Sequence, residues 1–208
     1  MPAIAIDEFL TTYVEGFLLG DLRRLAVIGE ETRGTGALFY PALMTICSGM
    51  ELLGAIDSDQ PFSPRNKGRH YFKRGWLLTY GERLDLPGEV GSQYYECVRH
   101  GLAHLFLPKG KIAAVGDIAA EPRHLTMVGE VLILHVPRMC RDFERAYYAY
   151  FRGPDFASRQ ATWELRVNEI VDHLASHTLF VPPIGSRRFV IGTILPPTSI
   201  APGSHYTR

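Results

Sequence analysis

The stretch Ala37 to Ile56 reads ALFYPALMTICSGMELLGAI. Whether it crosses a membrane or fills a core decides what kind of protein this is. A bilayer span needs about 20 predominantly apolar residues in a row. Here Pro41, Gly49 and Glu51 interrupt the run. It is therefore read as a buried core helix, and no membrane is expected among the partners.

Working outward, Ile4 to Ile28 predicts a first helix. Phe9, Tyr13, Phe17 (or Val14), Leu18, Leu22 and Leu25 recur at the spacing of one apolar face. Gly29 to Gly36 is a loop. Its glycines follow a helix and lack the lysine of a phosphate-binding loop, so capping and turn formation explain them. Asp57 to Gly68, with Pro61 and Pro64, is a connector. His70 to Tyr80 predicts a third helix, offering Tyr71, Trp76, Leu77 and Tyr80 to the core. After a second connector, Leu84 to Gly88, a fourth helix is expected over Glu89 to Leu107. Tyr94, Val98, Leu102, Leu105 and Phe106 form its apolar face, and Pro108 and Gly110 stop it.

The period then changes. Lys111 to Val115, His124 to Val128 and Val131 to Val136 are short and β-rich, with Gly129-Glu130 as a hairpin turn. Pro137 suits a helix start, so Pro137 to Phe151 predicts a fifth helix. Gly153-Pro154 ends it, and Asp155 can cap a sixth helix running to about Leu174. The expected fold is mainly α. It is a bundle of five to six helices with a small antiparallel β-hairpin or meander at about residues 111–136. Residues 1–180 are read as one domain. Residues 181–208, with Pro182, Pro183, Pro196, Pro197 and Pro202, are read as an irregular tail.

Of the 208 residues, 46% are hydrophobic and 21% charged, a globular balance that argues against long disorder. Cys47, Cys97 and Cys140 are scattered and form no CxxC, which points to a reducing, cytoplasmic setting. Met1 to Leu10 lacks a basic leader and carries Asp7 and Glu8, unlike a secretory signal. The net charge is zero but uneven. Residues 1–59 hold three basic and nine acidic side chains, whereas residues 60–111 hold nine and four. The middle of the chain is the electropositive candidate surface. Arg65, Lys67, Arg69, Lys73 and Arg74 lie there, interleaved with Tyr71, Phe72 and Trp76. Such a mixture could hold single-stranded nucleic acid by charge and stacking. On a helix, aromatics at this spacing also serve as core, with the cations on the wet face.

The chemically pointed segment is Arg99-His100-Gly101-Leu102-Ala103-His104, on the fourth helix. A guanidinium can grip a phosphate through two parallel hydrogen bonds. An imidazole, with an unperturbed pKa of about 6.5, suits proton transfer near neutrality. Phosphodiester transesterification needs both services. His100 and His104 are four apart and share a helix face. At about 100° per residue, Arg99 sits about 140° from His104, within reach of a bending side chain. Gly101 would let another backbone approach, as at a dimer seam.

This segment resembles the arginine–polar–three-residue–histidine signature of HEPN domains, small helical bundles that include metal-independent ribonucleases. The resemblance covers about residues 37–107. It implies that Arg99 and His104 are catalytic and that His100 orients or assists. It also implies no cofactor, RNA as substrate, a homodimer paired through the motif helix, and in some settings an antitoxin or other partner protein. The strand region after Pro108 departs from the family's all-helical core. Two other copies occur: Arg65 to His70 matches formally but begins in a Pro/Gly connector, and Arg166 with His173 fits the long spacing but has Val167 where a polar residue belongs.

Two alternatives stay open. One is a non-catalytic helical module that binds nucleic acid or a partner protein and uses Arg99 as an anion clamp. The other is a metal site on the motif helix. Cys97, His100 and His104 fall at i, i+3 and i+7, with His70, His124 or His135 as remote ligands. His173 and His177 are read as favoured at a helix C-terminus, where the dipole suits a cation.

Overall fold

The computed structural model describes residues 3–31, 39–63, 65, 67–81, 91–92, 94–100 and 112–177; for 29–31, 100 and 177 it describes the backbone alone. The fold is mainly helical with a small three-stranded mixed sheet. The described residues up to Ile170 belong to one compact unit. A second unit begins at Val171, and its described part is the end of the last helix.

The chain opens with a continuous helical rod. Helix α1 (Ile6–Phe9) passes through a π-helical stretch, π1 (Leu10–Leu19), into α2 (Gly20–Glu31). A π winding bonds residues five apart instead of four, so it shifts the phase of the buried face. The buried side chains are Ile6, Phe9, Leu10, Val14, Leu19 and Leu22. The step of five from Val14 to Leu19 is that wider turn. Periodicity of 3.6 residues placed Phe17 and Leu18 there instead, and both are only half-buried. Phe9 and Tyr13 stack at 5.0 Å between ring centroids along the rod.

Helix α3 (Phe39–Ile56) is the core helix that the apolar run predicted. Pro41 falls in its first turn, where no intrahelical N–H is required. Ile46, Cys47, Met50 and Ile56 are fully enclosed. By length and hydropathy α3 could cross a membrane, but its apolar side chains are largely covered by protein. Against it lies α4 (Gly68–Tyr80). The crossing is backbone on backbone. A methyl group at Gly54 would sit 1.9 Å from the Tyr71 carbonyl oxygen, and one at Gly75 would sit 2.1 Å from the Met50 carbonyl oxygen. Only glycine at both positions allows the approach.

Strands β1 (Ile112–Val115), β2 (Thr126–Val128) and β3 (Val131–His135) form a sheet of order β1-β3-β2. The antiparallel hairpin is β2–β3, turned by Gly129 at φ +62°. β1, in contrast, runs parallel to β3, with Ile112 opposite Leu132 and Val115 opposite His135. The sheet is therefore mixed and is not a meander. The chain between this parallel pair runs through a 3-10 turn (Ile118–Arg123) and then β2 before it reaches β3. Helix α5 (Val136–Phe151) follows β3 directly, with Pro137 in its first turn, as its fixed φ favours. Helix α6 (Phe156–His177) closes the described chain. Asn168 of α6 clips the amino-terminal strand of chain, its side-chain oxygen accepting from Ile4 N–H and its side-chain nitrogen donating to the Ile4 carbonyl.

One buried carboxylate ties the helices together. Asp57, just past α3, is 4% exposed. Its Oδ2 accepts from Arg74 Nε at 2.6 Å. Its Oδ1 accepts from Tyr150 at 2.8 Å, Arg159 at 3.1 Å and Trp163 Nε1 at 3.2 Å. The Arg159 guanidinium also lies 4.6 Å over the Tyr150 ring. Next to it, buried Arg166 donates to the Ser58 carbonyl and pairs with Glu169, whose other duty is to accept from Phe62 N–H at 2.7 Å. A connector to the eye of sequence periodicity is thus the polar centre of the bundle.

Candidate functional site

The motif arginine stands on a second π-helical segment, π2 (Tyr95–His100). Tyr94 and Val98 are fully buried and Tyr95 and Cys97 nearly so, which roots the segment in the core. Tyr94 donates to the Leu43 carbonyl at 2.7 Å, fixing π2 against α3. Arg99 comes off the other side, 37% exposed. Its Nε donates to Glu51 Oε1 of α3 at 2.8 Å. Burial alone would lower the guanidinium's pKa. The hydrogen bond and charge of Glu51 offset that and hold it above its ordinary value. Among the described residues, Nη1 and Nη2 take part in no hydrogen bond. Arg99 is therefore oriented at one nitrogen and leaves its two-pronged end available, the geometry that suits an oxyanion.

Glu51 also faces an open groove of about 250 Å³ that Ser48, Ala55, Phe62, Gly68 and Tyr71 help to line. The Phe62 and Tyr71 rings stack at 5.8 Å on its wall. The start of α4 is close by, because a methyl group at Gly68 would meet the Tyr95 hydroxyl at 3.1 Å and Glu51 at 3.6 Å. Arg69, one residue on, pairs with Glu96 of π2 at 3.5 Å.

The other sequence-derived residues divide. Arg65, Arg69 and Lys73 are exposed, and Lys67 is half-buried. Arg69 and Lys73 are four apart on the outer face of α4. Arg74 differs from them. It is bound to Asp57 and lies 3.7 Å from Asp59, so its charge serves the fold. The interleaved aromatics turn inward, with Tyr71, Phe72 and Trp76 all under a tenth exposed. Phe72 and Trp76 are therefore core, Tyr71 shows only an edge to the groove, and the cations of that stretch lie on the wet face. The His100 side chain and His104 lie outside the described residues, as does Gly101.

For the metal alternative, no group of three or more His, Cys, Asp and Glu gathers among the described residues. Cys97 is 8% exposed, and burial raises its thiol above the ordinary value. Cys140 is pushed up to about 12 by the same cause, and Cys47 higher still. Such thiols are poor nucleophiles at neutral pH.

The residue that periodicity missed is Glu51. In the sequence it stands only as an interruption of an apolar run. A single acid at a half-buried position of a core helix was the available signal, since such a charge needs a partner. Comparisons with protein-family models, with curated proteins and with solved structures found no match.

Proposed function

We propose that this chain is a HEPN-like, metal-independent ribonuclease that cuts RNA by 2′-hydroxyl transesterification. The observation that carries the reading is Arg99, anchored through Nε to Glu51 with its terminal nitrogens available. In this reading, His104 takes the 2′-hydroxyl proton as O2′ attacks phosphorus, and Arg99 stabilises the charge gathering on the phosphoryl oxygens. The 5′ oxygen leaves with a proton returned by His104, acting now as the acid, giving a 2′,3′-cyclic phosphate and a 5′-hydroxyl end. His100 positions substrate or His104. Two copies paired through the motif helix would line one cleft. A partner protein that covers it would act as an antitoxin.

A second reading is favoured by the exposed cations Arg65, Arg69 and Lys73, of which Arg69 pairs with Glu96 of π2: a module that holds RNA without cutting it. One assay separates the two. Purified protein is incubated with single-stranded RNA in the presence of a chelator, as wild type, Arg99→Ala and His104→Ala. The enzyme reading expects cleavage to fall at least about 100-fold in each variant, the usual cost of removing a transition-state donor or a proton-transfer group. Equal cleavage by all three would refute it. Steeply salt-dependent binding with no cleavage would establish the module.

A further inference from the structure

Away from the motif, two buried histidines meet at the corner where the sheet becomes α5. His135, the last residue of β3, is 2% exposed, and His124 is 7% exposed. The His135 backbone N–H donates to Nδ1 of His124 at 3.1 Å. The Nδ1 of His135 in turn accepts from the Arg138 backbone N–H at 3.2 Å, capping α5. The two rings thus act in series as acceptors for backbone N–H groups. An imidazole nitrogen accepts only while it carries no proton, so both rings must be neutral with their hydrogen on Nε2.

Asp142 of α5 lies 3.8 Å from His124 Nε2, but it is also paired with Arg145 and lies near Arg138. Glu121 of the 3-10 turn favours a charged His135, but Glu121 is itself paired with Arg141. Arg138 and Arg141 of α5 oppose the charge, and the Asp117 backbone favours it. The ring of Tyr80, from α4, is 6.3 Å from that of His124. Burial prevails over these charges, and His135 titrates below its ordinary value. The corner also holds strained backbone. Leu125, next to His124, is at φ +60°, where a residue with a γ-branched side chain is held only by its surroundings.

We propose that His124 and His135 form a proton-operated latch: neutral, they hold β3 to the start of α5, and protonated at Nδ1 they turn two backbone N–H acceptors into donors and release the corner. The sign follows from His135. Its folded-state pKa is lowered, so its contribution to stability is complete above about pH 6.5, the unfolded value, and is lost as pH falls below that.

The test has two parts. Ring-nitrogen NMR on the full chain at pH 7.5 should show Nδ1 unprotonated and Nε2 protonated in both histidines. Amide hydrogen exchange, corrected for intrinsic rate, should show the His135 and Arg138 amides losing protection about tenfold or more between pH 7.5 and pH 5, as expected when two backbone hydrogen bonds open together, while α3 stays protected. The double variant His124→Asn, His135→Asn keeps a side-chain acceptor at each place and cannot be protonated. Its protection at Arg138 should not change over that range. A wild type with unchanged protection, or a double variant that loses it equally, overturns the latch. Should the double variant not fold, the wild-type ring spectrum decides alone, and an Nδ1–H on either ring at pH 7.5 overturns it.

Discussion

Asp57 and Glu51 are six residues apart, at the end of one helix, and both bind an arginine. Beyond that they differ. Asp57 is buried and receives four donors from three other helices, with both carboxylate oxygens engaged. Glu51 meets Arg99 through one bond, and both side chains keep contact with solvent. A saturated, enclosed ion cluster rigidifies a fold, because removing one member strands the others. A single, half-exposed pair contributes little stability but sets the direction of a cation. The first arrangement is structural by geometry, and the second is the one able to meet a ligand.

The sharpest way to break that contrast is Asp57→Ala. It leaves Arg74, Arg159, Tyr150 and Trp163 facing an empty place and should cost about 3 kcal/mol, read as a lower urea midpoint with an unchanged slope. Gly54→Ala attacks the packing that brings α3 and α4, and thus Asp57 and Arg74, together. Its methyl group meets backbone that cannot move aside, so a loss of about 2 kcal/mol is expected in the same measurement. Glu51→Gln is the opposite case. Stability should change by less than about 1 kcal/mol. If Arg99 acts on RNA, cleavage should fall in Glu51→Gln while the urea midpoint holds. Conversely, a large stability loss in Glu51→Gln would show that Glu51 is a second Asp57, and the contrast would dissolve.

The same contrast explains what was legible from residue order. Helices over Phe39–Ile56, Gly68–Tyr80, Val136–Phe151 and Phe156–His177 follow from local rules, namely apolar period, proline and glycine stops, and Pro137 at a start. The β2–β3 hairpin follows from Gly129-Glu130 in the same way. The motif around Arg99 was visible as chemistry, yet its anchor was not. Glu51 is 48 residues away from it in the chain, and the partners of Asp57 are 17, 93, 102 and 106 residues away. No pattern of neighbours encodes contacts of that range.

Residue order by itself determined that this chain makes a core helix, a set of amphipathic helices and a short hairpin, because each depends on groups within a few turns of one another. Tertiary structure alone decided that β1 runs parallel to β3, that π winding shifts the buried face to Leu19, and that one arginine of the basic stretch is bound to Asp57 while its neighbours face water. Those outcomes depend on which distant surfaces meet. That is settled only when burial and hydrogen-bond satisfaction are balanced over the whole fold at once.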